Sequence, residues 1–370
     1  MRFTVSQADF QEAFGSVAPV VPSKTTLPIL SNVLMELEGN TLRLVATDLD
    51  VSILTEMEVQ GERDGSLSVP AKKIGDIIRE LEELDITLEA DEGNRLQIIA
   101  GEGSYQLPGI SSEDFPSLPE FEGAIEFSIP AETFDRLVQR TSFAVSRDEL
   151  RPALTGVFLQ LRPGELRAVS TDGHRLVRII DSHFTYSGEP RELIVPVKAL
   201  EMVRKNIIGD EDVKLIVGSN QLMAKMKHAT LYSRLIEGKY PHYENVIPKD
   251  NSDRLIVSAD QLARVVKRTQ IFANPISRQV VFHLERDQLI IQAEDVELGG
   301  KGKESLPATY TGEDKQIGYN SAYVLELLKQ IETDEVLFEL GSTTAAGIVR
   351  PTEPREGEDF LMLIMPVRLN

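Results

Sequence analysis

The chain has 370 residues, 41% of them hydrophobic, and no cysteine; that length suits about three ordinary domains and excludes disulfides, thiolate metal sites and a cysteine nucleophile. The formal net charge is −20, which argues against nonspecific adhesion to nucleic acid, because binding phosphate needs lysine and arginine to displace counterions. The charge is uneven, net −15 over residues 1–122, +2 over 123–249 and −7 over 250–370, so a local basic face stays open.

The first element in chain order is a strand running into an amphipathic helix, FTVSQADFQEAF (3–14). Ser6 stands at the switch, and Phe10 and Phe14 lie four apart on one helix face. LEGNTLRLVATDLDV (37–51) follows, a polar turn and a short alternating strand ending in Thr47-Asp48. A second strand–helix entry, LSVPAKKIGDIIREL (67–81), switches at Pro70 and leads to the strand LQIIAG. DFPSLPEFEG (114–123), with Pro116, Pro119 and Gly123, reads as a boundary.

The series then recurs. FSIPAETFDRLV (127–138) switches at Pro130 and pairs Phe134 with Val138. LRPGELRAVSTDGHRL (161–176) ends in Thr171-Asp172, and LIVPVKALEMVRKNI (193–207) switches at Pro196. IPKDNSDR (247–254) is the next boundary. The third round is LIVSADQLARVV (255–266), a fainter LERDQLIIQAEDVEL (284–298) and QIGYNSAYVLELLKQI (316–331), with switches at Ser258 and Asn320 and the pair Leu262/Val266. RPTEPREGED (350–359) reads as a solvated hairpin tip. Repetition at this scale implies repeated architecture. The expected fold is α+β: three tandem units, each of two strand–helix–strands lobes.

The residues that suggest chemistry are few. Asp172 and His174 alternate along an extended backbone and could share a face as an acid/base pair. Catalysis would also need a nucleophile or metal and an oxyanion or phosphate site. The five histidines, His174, His183, His228, His242 and His283, show no metal-ligand spacing, and no phosphate-loop, dinucleotide or nucleophile-elbow motif occurs. A hydrolase is therefore disfavoured, and no metal or cofactor is expected. Thr171–Leu176 is left as a structural turn or a binding element. The Thr47-Asp48 copy continues Leu49-Asp50-Val51, without the glycine, histidine and arginine. The apolar run Phe360–Met365, broken by Pro366, is either a buried last strand or the wall of an apolar groove, where methionine gives adaptable surface. Tyr240-Pro241-His242-Tyr243 could form a rim. Several helices carry bases: Lys72, Lys73 and Arg79; Arg136 and Arg140; Lys198, Arg204 and Lys205; Arg264, Lys267 and Arg268. They form solvated faces or, together, a positive lining, although the first helix (7–17) has Asp9 and Glu12 and no base.

TLPILSNVLMEL (26–37), STDGHRL (170–176), LIVPVKALE (193–201), EGKYPHYENVIP (237–248) and LMLIMPVRL (361–369), in that order, resemble the bacterial sliding clamp family, the β subunit of DNA polymerase III, over essentially the whole chain. The resemblance implies clamp domains at 1–121, 124–248 and 250–370. It also implies a head-to-tail homodimeric ring of six domains around duplex DNA, with no catalysis of its own. Its dimer contact would set Tyr105 and Leu107 against Ile271 and Phe272 of a second copy. Its peptide pocket would be lined by Leu154, Thr171, Gly173, His174, Arg175, Leu176, Pro241, Val246, Ser342, Leu363, Ile364, Met365, Pro366, Val367 and Arg368. There Gly173 would allow close backbone approach and His174 and Arg175 would offer polar contacts. DNA would meet Lys24, Lys72, Lys73, Arg136, Arg140 and Lys198. Partners would be a replicative polymerase, a clamp loader and repair or translesion proteins, engaged through short linear peptides. Two departures stand out: Asn245 where the family has an arginine, and Asn370 extending the usual end. The N-terminal MRFTVSQADF shows no export signal and no run reaches the ~18–20 apolar residues that span a bilayer. A bacterial cytoplasmic protein acting at replication forks, without a membrane partner, is expected.

Overall fold

The structure, a computed structural model, describes residues 1–121, 125–295 and 299–369. The boundary residue Gly123, the start of the expected second domain at Ala124, the end of the third copy at 296–298 and Asn370 lie outside the described residues. Helices stand at every switch read from the sequence: α1 Gln7–Val17, α2 Ala71–Glu80, α3 Ala131–Thr141, α4 Val197–Lys205, α5 Ala259–Thr269 and α6 Ser321–Leu328. The reason is local. Ser6 accepts from the Asp9 amide at 3.1 Å, Ser258 from the Gln261 amide at 3.4 Å and Asn320 from the Ala322 amide at 2.9 Å, so each satisfies an amide that the first helical turn leaves unpaired. Pro70 and Pro196 occupy the same cap position with extended backbone and no side-chain bond. The Pro130 carbonyl accepts from the Phe134 amide at 2.8 Å. None of these helices, among the described residues, is long and apolar enough to cross a membrane.

The chain divides into two compact units. One comprises Met1–Asp135 with Val195–Leu235, the other Arg136–Ile194 with Ile236–Asn370. The first holds a five-stranded and an eight-stranded antiparallel sheet. In the larger, Val51–Glu58 of the first repeat pairs with Ala229–Arg234 of the second. The second unit holds a twelve-stranded sheet, in which Arg175–Asp181 of the second repeat pairs with Glu358–Ile364 of the third. The compact units therefore divide the middle repeat, because its strands within 156–181 continue the third repeat's sheet and those within 213–234 the first repeat's.

The cores follow the alternating patterns. Arg2–Ser6 buries Phe3 and Val5, and Phe10 and Phe14 of α1 stack at 6.0 Å in the same unit. In the second unit Phe282 meets Tyr319 edge-on at 5.2 Å and Phe338 at 6.2 Å. Helix α5 ends at Thr269. Thr269 bonds back to the Val265 carbonyl at 2.9 Å, a contact that competes with helix propagation, and Gln270–Phe272 winds on as a 3-10 turn.

Candidate functional site

The Thr171–Leu176 segment is a built turn. Thr171 Oγ1 donates to the Arg175 carbonyl at 2.6 Å and accepts from the Gly173 amide at 3.1 Å. Asp172 Oδ1 accepts from the amides of His174 at 2.9 Å and Arg175 at 3.0 Å. The Asp172 carboxylate is thus committed to its own backbone, which removes the acid half of the pair considered from sequence. Gly173 has φ +91°, where only glycine sits without strain, and a side chain there would come no closer than 3.4 Å to Arg151. The backbone conformation is thus reason enough for a glycine here.

Arg175 does not reach outward. Its guanidinium is buried, donating to Asp172 Oδ2 at 3.2 Å, to the Phe143 carbonyl at 2.8 Å and to Glu326. It lies between the rings of Phe143 and Tyr323, at 5.2 and 4.7 Å. Burial pulls its pKa down while Asp172 opposes the shift. His174 is exposed and stacks on Tyr323 at 6.1 Å. The expectation that Arg175 offers its polar groups to a ligand is therefore corrected: it fixes the turn to α6. Phe143, Tyr323 and Glu326 were not singled out from sequence, since single residues on helix faces carry no pattern of their own.

Beyond the turn lies an apolar site. Leu176 pairs across the strands with Leu363, and Ile364 with Arg175. Leu154, Leu176 and Leu363 are buried in one cluster with Phe158, Val169, Tyr240 and Tyr243. Tyr240 stacks on Phe158 with centroids 4.5 Å apart and rings 4° from parallel. Tyr243 meets Phe158 edge-on at 6.3 Å and donates to Gln160 Oε1 at 2.8 Å. Burial pushes the Tyr240 and Tyr243 phenols up, Arg167 opposing at Tyr243, so both stay neutral. Around this floor Gly173, His174, Pro241, Val246 and Ser342 are exposed, and Met365 is 38% exposed. The Met365 amide donates to the His174 carbonyl at 2.8 Å, which joins the last strand to the turn. Asn245 is exposed beside Val246. Past Pro366 the chain turns away: the Val367 amide donates to Gly318 and the Arg368 carbonyl accepts from Gln279 at 3.2 Å. The arrangement can receive apolar side chains over the Leu176–Leu363 floor and backbone groups at its rim.

The other candidates are spread over the chain. Lys24, Lys72 and Lys73 are exposed. Lys198 donates to the Val20 carbonyl at 2.9 Å and to Asp48. Arg136 bonds Glu332 at 2.8 Å and Glu358 at 2.9 Å, and the Glu358 bond holds its pKa above the ordinary value against burial. Arg140 is 3% exposed, ion-paired with Glu332 and 5.0 Å over the Phe360 ring, and burial lowers its pKa. Arg136 and Arg140 therefore tie α3 to the Glu332 turn and the last strand, and Arg140 has no surface to give a phosphate. Ile271 is 74% exposed and Phe272 and Tyr105 are also exposed, whereas Leu107 is already buried at 7%.

Residues 1–119 match the DNA polymerase III beta subunit N-terminal domain, residues 128–242 its central domain and residues 244–368 its C-terminal domain. The chain is 33% identical over 374 residues to the beta sliding clamp of Pseudomonas aeruginosa and 31% identical over 372 residues to that of Escherichia coli, each match covering 100% of both chains. It is also similar to the crystal structure of a sliding clamp (DNA polymerase III subunit beta) from Bartonella birtlesii, with TM-score 0.94, 32% identity and 100% of both chains covered.

Proposed function

The chain belongs to the DNA polymerase III β-subunit family of sliding clamps, and on that premise we propose how its parts divide the work. It serves as a DNA clamp for polymerase processivity. Two copies close head to tail into a ring around duplex DNA, each chain supplying three domains at about 1–121, 124–248 and 250–370. Ile271 and Phe272 of one copy pack against Tyr105 of the other, with Leu107 two residues further along the same strand beside it. Lys24, Lys72, Lys73 and Lys198 supply weak phosphate contacts inside the ring. Arg136 and Arg140 stabilise the fold instead. The clamp performs no catalysis and works in the bacterial cytoplasm.

The apolar site of the second unit receives short linear peptides from the polymerase, the clamp loader and repair or translesion proteins. What carries this reading is the exposed Met365 and His174 rim over a buried Leu154–Leu176–Leu363 floor. Replacing Met365 by alanine removes a partly exposed apolar contact and leaves Ile271 and Phe272 untouched. The Met365→Ala protein is expected to lose polymerase-peptide binding by at least about tenfold, a burial loss of roughly 1.5 kcal/mol or more, and to remain a dimer by light scattering. Unchanged peptide affinity would contradict the assignment.

A further inference from the structure

The Thr47-Asp48 turn of the first repeat copies the side-chain-to-backbone bonds of the Thr171-Asp172 turn. Thr47 Oγ1 accepts from the Leu49 amide at 3.0 Å and donates to the Val51 carbonyl at 3.2 Å. Asp48 Oδ1 accepts from the amides of Asp50 at 3.0 Å and Val51 at 2.7 Å. The following strand meets its neighbour in the same register. Ser52 pairs with Tyr232 and Val51 with Ser233, as Leu176 does with Leu363 and Arg175 with Ile364. The Arg234 amide donates to the Asp50 carbonyl at 2.9 Å, matching the bond from Met365 to His174. The wall is copied too. Phe115-Pro116-Ser117-Leu118 repeats the pattern Tyr240-Pro241-His242-Tyr243. Phe115 packs on Leu34 and Val45, a cross-strand pair, as Tyr240 packs with Phe158 and Val169, another such pair.

A cleft of about 290 Å³ opens at this place, between Leu49 and Asp50, Pro116 and the Tyr232–Arg234 strand end. Its chemistry differs from the apolar site. Ser52 stands in the place of Leu176, Tyr232 of Leu363, Ser233 of Ile364 and Arg234 of Met365. Arg234 is exposed, and its guanidinium has no hydrogen bond or ion pair among the described residues; the same holds for the Asp50 carboxylate. Leu49, in the place of Gly173, is held at φ +80° and is 45% exposed. A leucine pays for that backbone conformation where glycine would not, and in return it presents an apolar side chain over the cleft.

We propose that this cleft of the first repeat is a second peptide site, taking a short linear segment whose carboxylate meets Arg234. The Asp50 carboxylate accepts from the segment's backbone amide, and Leu49 with the Tyr232 ring covers one apolar side chain. Asp50 repels a polyanion, which selects an isolated carboxylate over nucleic-acid phosphate. The proposal extends the reading of the apolar site above and rests on it.

Leucine-methyl NMR of the full dimeric chain separates the two sites, with Leu49 reporting one and Leu363 the other. The probe for the new cleft is acetyl-Ser-Leu-Asp-Leu-amide, with its Asn-containing match as control; the probe for the apolar site is acetyl-Lys-Leu-Met-Leu-Phe-amide. The acidic probe is expected to shift the Leu49 methyls saturably. Arg234→Gln, or the Asn match, should weaken that response about tenfold, as expected for losing one charge-assisted contact, while Met365→Ala leaves it unchanged. No Leu49 shift at millimolar probe, or a shift indifferent to Arg234→Gln, overturns the second site if Leu363 answers its own probe. Silence at Leu363 overturns the reading of the apolar site, and the copy inferred from it falls too.

Discussion

Gly173 and Leu49 occupy the same turn position with φ +91° and +80°, so the two residues report the energetics of one backbone conformation. Left-handed backbone costs a residue with a Cβ roughly 1–2 kcal/mol. A side chain at 173 meets only Arg151 at 3.4 Å, so strain and not collision sets the effect. Gly173→Ala is therefore expected to lower stability by about 1–2 kcal/mol, seen as a drop in Tm, whereas Leu49→Gly should not. Equal losses from both would show that the turn conformation is not what limits either position. The Thr-Asp pairs were legible in the sequence because an alternating strand led into each. The likeness of Phe115-Pro116 to Tyr240-Pro241 was not legible there, because Pro116 and Pro119 stand in a segment that reads as a boundary. The role of Arg175 was not legible either: whether an arginine points outward or into a Phe143–Tyr323 sandwich depends on a helix more than a hundred residues later.

At the scale of elements, caps and apolar spacing located the helices, because those signals are local. The ends fell where side chains competed with the backbone, as Thr269 does in α5. The turn that follows carries Ile271 and Phe272 outward, and such an exposed apolar pair marks an interface. Ile271→Ala with Phe272→Ala is expected to raise the dimer dissociation constant by a hundredfold or more, on the order of 3 kcal/mol, measured by sedimentation; a dimer persisting at nanomolar concentration would refute that contact. A second element-scale test concerns the strands Asp253–Ser258 and Lys315–Asn320, joined by Lys315 Nζ to Asp253 Oδ2 at 2.7 Å. The Lys315 bond holds the Asp253 carboxyl below its ordinary 3.8, against burial. A depressed folded-state pKa contributes stability above the unfolded value, and that stability is lost as pH falls through the folded value. Lys315→Met should therefore lower Tm at pH 7, and the gap to the parent should narrow below about pH 3.8, leaving the part due to the Lys315 bond to the Gly341 carbonyl. A gap independent of pH would assign the effect to packing alone.

At the scale of the molecule, three repeats were legible but the compact units were not, because strand pairing between repeats is a long-range outcome that no local pattern encodes. The charge distribution finds its reason at this scale. With net −20 the chain is poorly suited to hold DNA by counterion release alone. A closed ring does not need to, since release from a closed circle requires opening an interface and not breaking phosphate contacts. Weak contacts from Lys24, Lys72, Lys73 and Lys198 would then permit sliding, and the acidic remainder would repel other DNA. The most direct test is retention of the loaded protein on nicked circular DNA in about 1 M salt, where exposed charge contacts are screened beyond roughly 3 Å. The protein should stay on the circle and run off when the same DNA is linearised; equal loss from both forms would contradict topological holding.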